Sequence, residues 1–195
     1  MTRAQKRRAR RSVREAQQAL ARLYRLDVPV EAWRFLLSED EVRAMVPRDG
    51  PRSGLLAFEE GDELWIGLYL DPADAGDPDA VAEETSHFVC LAWHASQGRR
   101  VSPLILELQS EVDRYLLARL GGRDPLGHFH GFVFDARLDA PTRQRYELAH
   151  RAGQRYCRAL DARFPSRRHV PALLAELRRF YRDPAEAKLH RARAA

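Results

Sequence analysis

The chain has 195 residues, 45% of them hydrophobic and 9% aromatic, with a formal net charge of +5. That length suits one compact domain with its own core, and no run of about 18 apolar residues points to a membrane span. The basic N-terminus has no apolar stretch behind it, so a secretory leader is not expected. The two cysteines, Cys90 and Cys157, fall inside predicted helices, which fits packing thiols in a reducing cytoplasm.

The net charge hides a segregation. Residues 1–25 carry nine Lys and Arg against Glu15 alone, residues 26–140 carry ten against 22 Asp and Glu, and residues 141–195 carry 14 against five. Basic termini attract anionic partners, nucleic acid or a membrane surface, which an acidic middle repels. No nucleic-acid-binding signature or interleaved aromatic pattern accompanies the charge, so the plainer expectation is that basic helices lie near an acidic centre.

In chain order, residues 1–11 are poor in apolar side chains and are expected as a disordered basic tail before a single domain over 12–184. Val13, Ala16, Leu20, Leu23 and Tyr24 share one helical face, predicting an amphipathic helix over 12–26. Trp33, Leu36 and Leu37 give a short helix its buried side, and Ser38 with Glu41 has the capping-box spacing that starts a further turn through Val46. Residues 47–54 read as a loop. The runs 54–58 and 64–70 then flank Glu59-Glu60-Gly61-Asp62, the pattern of a β-hairpin.

Asp77 and Pro78 open a predicted helix over 78–96, as N-cap and first helical residue. Val81, Phe88, Ala92 and Ala95 fill one side and Ala82, Val89 and Trp93 another, so this helix should be buried. Glu83, Glu84 and His87 are costly in that setting unless a cation, a donor or a metal compensates them. Glu83 and His87, four apart, share a face, with His94 farther along it. Ser102-Pro103 and Gly121-Gly122 bound a second helix on which Glu107 and Glu111 are also four apart. An antiparallel pair turning near Gly98 brings His87 roughly level with Glu111, so one cluster of four acids and a histidine is expected.

Strand, loop, a helix with Glu83-Glu84-Thr85-Ser86-His87, and a second helix with Glu107 and Glu111 resembles the Glu-zincin metallopeptidases, over about residues 54–115. The family pattern is HExxH on one helix and ExxxD on the next. The resemblance implies His87 and Glu107 as metal ligands, Glu84 as the general base, Glu111 as the acid that orients a ligating histidine, and strand 64–70 as the substrate-aligning strand. Here Glu83 stands where the family has its first histidine, giving EExxH, and Glu111 replaces the aspartate. Glu83, His87 and Glu107 remain a three-ligand set for a divalent metal, zinc first, with manganese or iron competing for so oxygen-rich a site. The implied function is a metal-dependent hydrolase, a peptidase by resemblance, in active or degenerate form.

Downstream, 126–134 reads as a short strand or irregular apolar segment. His128 and His130 face one side of it if extended, and both are expected as packing or surface histidines. Tyr146, Ala149, Gly153, Tyr156, Leu160 and Phe164 stripe a long helix from Asp139, which also carries an ExxH, Glu147 to His150. Two ExxH helices with Glu107 or Glu111 and Glu15 or Glu31 give a further alternative, a ferritin-like di-metal carboxylate protein. A last helix holds Val170 to Tyr181 at core spacing, and 185–195 are expected as a frayed basic tail. The expectation is a mainly helical α+β domain, zincin-like, with a small hairpin beside a buried central helix. The competing function is a non-catalytic protein whose basic termini bind an anionic partner while the central acids pair with arginines such as Arg114, Arg143 or Arg151.

Overall fold

A computed structural model describes residues 2–46, 53–61, 63–134, 136 and 138–195, and of Glu59 the backbone alone. Residues 47–52 of the expected loop and Asp62 of the expected turn lie outside this set.

Helix α1 (Arg3–Tyr24) starts well before Ser12, so residues 3–11 are not the tail expected from their composition. Thr2 and Gln5 close a reciprocal capping box that satisfies two end donors. Ala9 is buried and extends the Val13, Leu20 and Tyr24 stripe toward the N-terminus. The arginines between these apolar positions also find surfaces: Arg10 lies over the Trp33 ring and the Arg8 guanidinium covers Gly76.

A 3-10 turn (Ala32–Phe35) leads to α2 (Glu39–Met45), which starts at the Ser38 and Glu41 capping box read from the sequence. Strands β1 (Gly54–Glu60) and β2 (Glu63–Tyr69) pair antiparallel, with Phe58 opposite Trp65. Leu36 bridges Leu68 on the far side of β2, where the Leu37 amide donates to the Leu68 carbonyl at 2.8 Å. Among the described residues β1 is therefore the free edge of the sheet.

The buried centre is a helix pair, α3 (Pro78–Ser96) and α4 (Pro103–Leu120), with the bounds predicted for α3 met at both ends. Segment 126–134 forms no strand; it makes a 3-10 turn (Gly127–Phe129) and then irregular chain. Three helices follow: α5 (Ala140–Arg163), α6 (Val170–Arg182) and α7 (Ala185–Ala194). Helix α4 packs against α3 on one side and α5 on the other. Gly153 allows the close approach of α5: a Cβ there would stand 2.7 Å from Glu111 Cβ.

Two apolar clusters hold these elements together. Leu20 and Tyr24 join Val89, Leu108, Val112, Tyr156, Leu177 and Phe180 in the larger one, while Val13, Leu68, Leu70, Val81 and Phe88 pack beneath the hairpin. Each such side chain contributes about 1.5–3 kcal/mol when buried. The last segment again differs from expectation. Instead of fraying, α7 buries Lys188 and Ala192, with Lys188 Nζ donating to Gln109 Oε1 at 2.9 Å and to the Tyr181 carbonyl at 3.2 Å. A lysine reads as tail in a sequence, but its stem packs like an apolar chain when the ammonium has acceptors.

The protein is thus mainly helical α+β with one two-stranded sheet among the described residues. No described helix is long and apolar enough to cross a membrane. Both cysteines are buried and free.

Candidate metal centre

Helix α3 presents Glu83, Glu84 and His87 toward Glu107 of α4, and one ligand atom from each of Glu83, His87 and Glu107 lies within 4.8 Å of the others. His87 Nε2 is 3.2 Å from Glu107 Oε2, yet the approach is off-axis and this buried nitrogen has no hydrogen-bond partner. On the other ring edge, Nδ1 is 3.5 Å from Glu84 Oε2, long for a hydrogen bond, and that buried oxygen is also unpartnered. Two donors on one ion at about 2.1 Å stand no more than about 4.2 Å apart. Side-chain adjustment of less than an ångström therefore closes the triad around a cation. The donor set, one imidazole and two carboxylates, suits a divalent metal.

The charges at the site are unevenly placed. Burial alone lowers an imidazolium, but Glu107 and then Glu84 outweigh it and hold His87 well above the usual histidine range. Burial raises the Glu83 carboxyl, Arg114 pulls it down, and Glu84 adds to the rise, leaving it at about 7. Glu83 keeps a quarter of its side chain exposed, and its Oε2 lies 2.9 Å from Arg114 Nη1. Of the three arginines considered as partners for the central acids, Arg114 alone takes this role; Arg143 and Arg151 both pair with Glu147.

Glu111 stands apart from the triad. It meets Arg114 Nη2 at 2.7 Å, His150 Nδ1 at 2.9 Å and His128 Nε2 at 3.2 Å. Burial would raise its carboxyl, but Arg114 and the two histidines outweigh that and bring it down to about 2. The expectation that Glu111 orients a ligating histidine is therefore not met at His87: the histidines it holds come from the 3-10 turn and α5. His128 keeps 3% of its side chain exposed and His130 66%, so the pair splits between core and surface because the chain turns there instead of extending. His94 is not brought to the triad; it stands edge-on to Trp93, and burial lowers it to about 4.

A cleft of about 560 Å³ opens on the triad, lined by Gly54, Leu55 and Ala57, by Glu83, Glu84, His87 and Glu107, and by Arg145 and Tyr146 of α5. The strand beside it is β1, not the run 64–70 that the family resemblance implied. Leu36 occupies the outer edge of β2, which leaves β1 to face the cleft. Arg145 and Tyr146 were not among the site residues read from the sequence, and Arg114 was read there only as a partner for the central acids. For Arg114 a signal existed in its i,i+3 spacing from Glu111; the α5 residues lie too far along the chain for any spacing rule.

The di-metal alternative finds its acids dispersed. Glu15 pairs with Arg11, Glu31 with Arg34 and Glu147 with Arg143 and Arg151, while His150 serves Glu111. Comparison with protein-family models, curated proteins and solved structures finds no match for the chain.

Proposed function

We propose that this protein is a metal-dependent hydrolase with a zincin-like arrangement, in which Glu83, His87 and Glu107 hold one divalent ion. The observation that carries the reading is the convergence of one ligand atom each from Glu83, His87 and Glu107 within 4.8 Å of one another, on residues that line an open cleft. A bound divalent ion supplies the Lewis acidity that polarises a carbonyl or phosphoryl group and acidifies water. Zinc accepts the set, and with two oxygen ligands manganese or iron competes.

Glu84 has two duties open to it. Its Oε2, free of hydrogen bonds, can take and hold a proton from an attacking water as general base, and at 3.5 Å from Nδ1 it places a carboxylate on the ring edge opposite Glu107, which favours Nε2 toward the ligands. Peptide hydrolysis is the first reaction to test. The free, buried cysteines fit the reducing cytoplasm as its location.

Elemental analysis of the purified full chain and of His87→Ala tests the centre. About one equivalent of metal in the wild type and none in the variant is expected; equal content in both sinks the assignment. Glu84→Gln then separates the two duties: retained metal with lost peptidase or esterase turnover marks a base, whereas a 10–100-fold drop in metal affinity marks an orienting role alone.

The Arg114 contact to Glu83 favours a second reading, a degenerate and non-catalytic protein in which Arg114 and the His87 proton balance the acids. In that case the exposed arginines of α1, Arg3, Arg7 and Arg14 among them, are the surface for an anionic partner. Salt-dependent binding to nucleic acid or anionic vesicles, lost when these three become Gln, is its test.

A further inference from the structure

We infer that Arg145 makes the cleft selective for substrates bearing an oxyanion, a carboxylate or a phosphate, held by its guanidinium in the cleft that the metal ligands also line. The inference rests on the hydrolase reading, because the oxyanion belongs to the molecule on which that centre would act.

Arg145 lies in the second turn of α5 and lines the same cleft as Glu83, Glu84, His87 and Glu107. It is half-buried, and its Nε is out of contact with water yet has no hydrogen-bond partner. Among the described residues it forms no ion pair, although acids surround it. Three of the four acids lining the cleft have another contact. Glu83 is held by Arg114, Glu107 stands against His87, and Asp74 accepts from Ser53 at 2.9 Å. Asp139, at the start of α5, feels the charge of Arg145 but spends its oxygens capping Thr142. The same helix shows the contrast: Arg143 and Arg151 both reach Glu147.

A guanidinium donates five N–H groups in a fixed fork, so leaving its buried Nε without an acceptor is unfavourable unless a ligand completes it. The fork matches carboxylate and phosphate oxygens in bidentate fashion. Tyr146 supports this use. The Arg145 guanidinium carbon lies 5.8 Å from the centre of its ring. Burial, with Glu107, Glu84 and Glu83 adding to it, raises the phenol well above its usual range, so it remains a neutral hydroxyl at the wall of the cleft. Leu55, Ala57 and Leu106 add apolar surface to the lining, which Ser53 and Asp74 interrupt. A guanidinium, apolar side chains and a metal-ligand triad lining one cleft describe a site for a molecule with an anionic end and an apolar body.

The test titrates the full chain, with manganese or zinc present, against inorganic phosphate in one arm and butyrate in the other, for the wild type, Arg145→Gln and Arg143→Gln. Expected are unchanged metal uptake in both variants and anion binding about 10–100-fold weaker in Arg145→Gln alone, the range for losing a charged hydrogen-bond donor. The arm that binds more tightly says whether the oxyanion is a phosphate or a carboxylate. Equal anion affinity in wild type and Arg145→Gln, with metal taken up normally, overturns the inference and leaves the hydrolase reading standing. No metal uptake by the wild type overturns the hydrolase reading; anion binding that still depends on Arg145 then retains the oxyanion subsite, and none removes both. Thermal unfolding of each variant confirms that the half-buried substitution leaves the fold intact.

Discussion

Arg114 Nη1 lies 2.9 Å from Glu83 Oε2 at the interface of α3 and α4. Its other terminal nitrogen, Nη2, is 2.7 Å from Glu111 Oε2, so one buried cation ties the candidate metal ligands to the Glu111, His128 and His150 cluster. Burial opposes a guanidinium charge, but Glu83 and Glu111 outweigh it and raise Arg114 above its ordinary value. It stays charged, and the two carboxylates it separates are held in place by it.

Replacing Arg114 with Met leaves Glu83 and Glu111 without their shared cation. Breaking a buried pair by removing one partner typically costs about 3–5 kcal/mol. Urea unfolding should therefore show a loss of that size. A loss under about 1 kcal/mol, the worth of a surface pair, would mean that the neighbouring histidines compensate Glu111 unaided.

Gly153 offers a test of the α4–α5 contact. Glycine to alanine inside a helix ordinarily gains about 1 kcal/mol of propensity. Here the new Cβ meets Glu111 Cβ at 2.7 Å and Cγ at 3.1 Å, both main-stem atoms with little freedom. Overpacking of that kind costs about 1–3 kcal/mol. Gly153→Ala should lower the melting temperature and shift the imidazole NMR signals of His128 and His150; a rise in melting temperature with unmoved signals would reject the close-packing account.

Asp113 provides a pH signature. It is fully buried, accepts from Ser86 at 2.6 Å, from Gln109 at 2.8 Å and from the Tyr24 hydroxyl, and yet burial outweighs these bonds and raises it from 3.8 to about 6. An acid that holds its proton more tightly when folded loses stability as pH rises from the unfolded value to the folded one. The Asp113 contribution should fall between about pH 4 and pH 6 and stay level above, by on the order of 3 kcal/mol. Stability measured against pH for wild type and Asp113→Asn should show the variant gaining on the wild type through that window. A constant difference between the two curves would contradict the assignment.

Much of the architecture is legible from local chemistry. The Ser38 and Glu41 capping box, the Asp77-Pro78 start of α3 and the turn at Gly61 are decided by residues three or four apart, where a hydrogen bond or a fixed φ acts without help from the rest of the chain. The ends of the chain are not legible in that way. Residues 3–11 and 185–194 look solvated by composition, but Ala9, Lys188 and Ala192 each find a buried place. Whether a sparse helix docks depends on a surface supplied by other elements.

The spacing of Glu83, Glu84, His87, Glu107 and Glu111 along two apolar helices already implies that carboxylates and a histidine will meet, because helical period and burial leave them few other faces. Which of them meet is decided by tertiary packing. The offset between α3 and α4 sets His87 against Glu107 and turns Glu111 toward α5, where Gly153 admits it to His150. The same packing makes β1 the wall of the cleft and brings Arg145 and Tyr146 to it from some forty residues downstream of Glu107. Periodicity assigns a side chain to a face of its own helix; only the packing of helix on helix, which sums many weak apolar contacts, sets the level at which two faces meet.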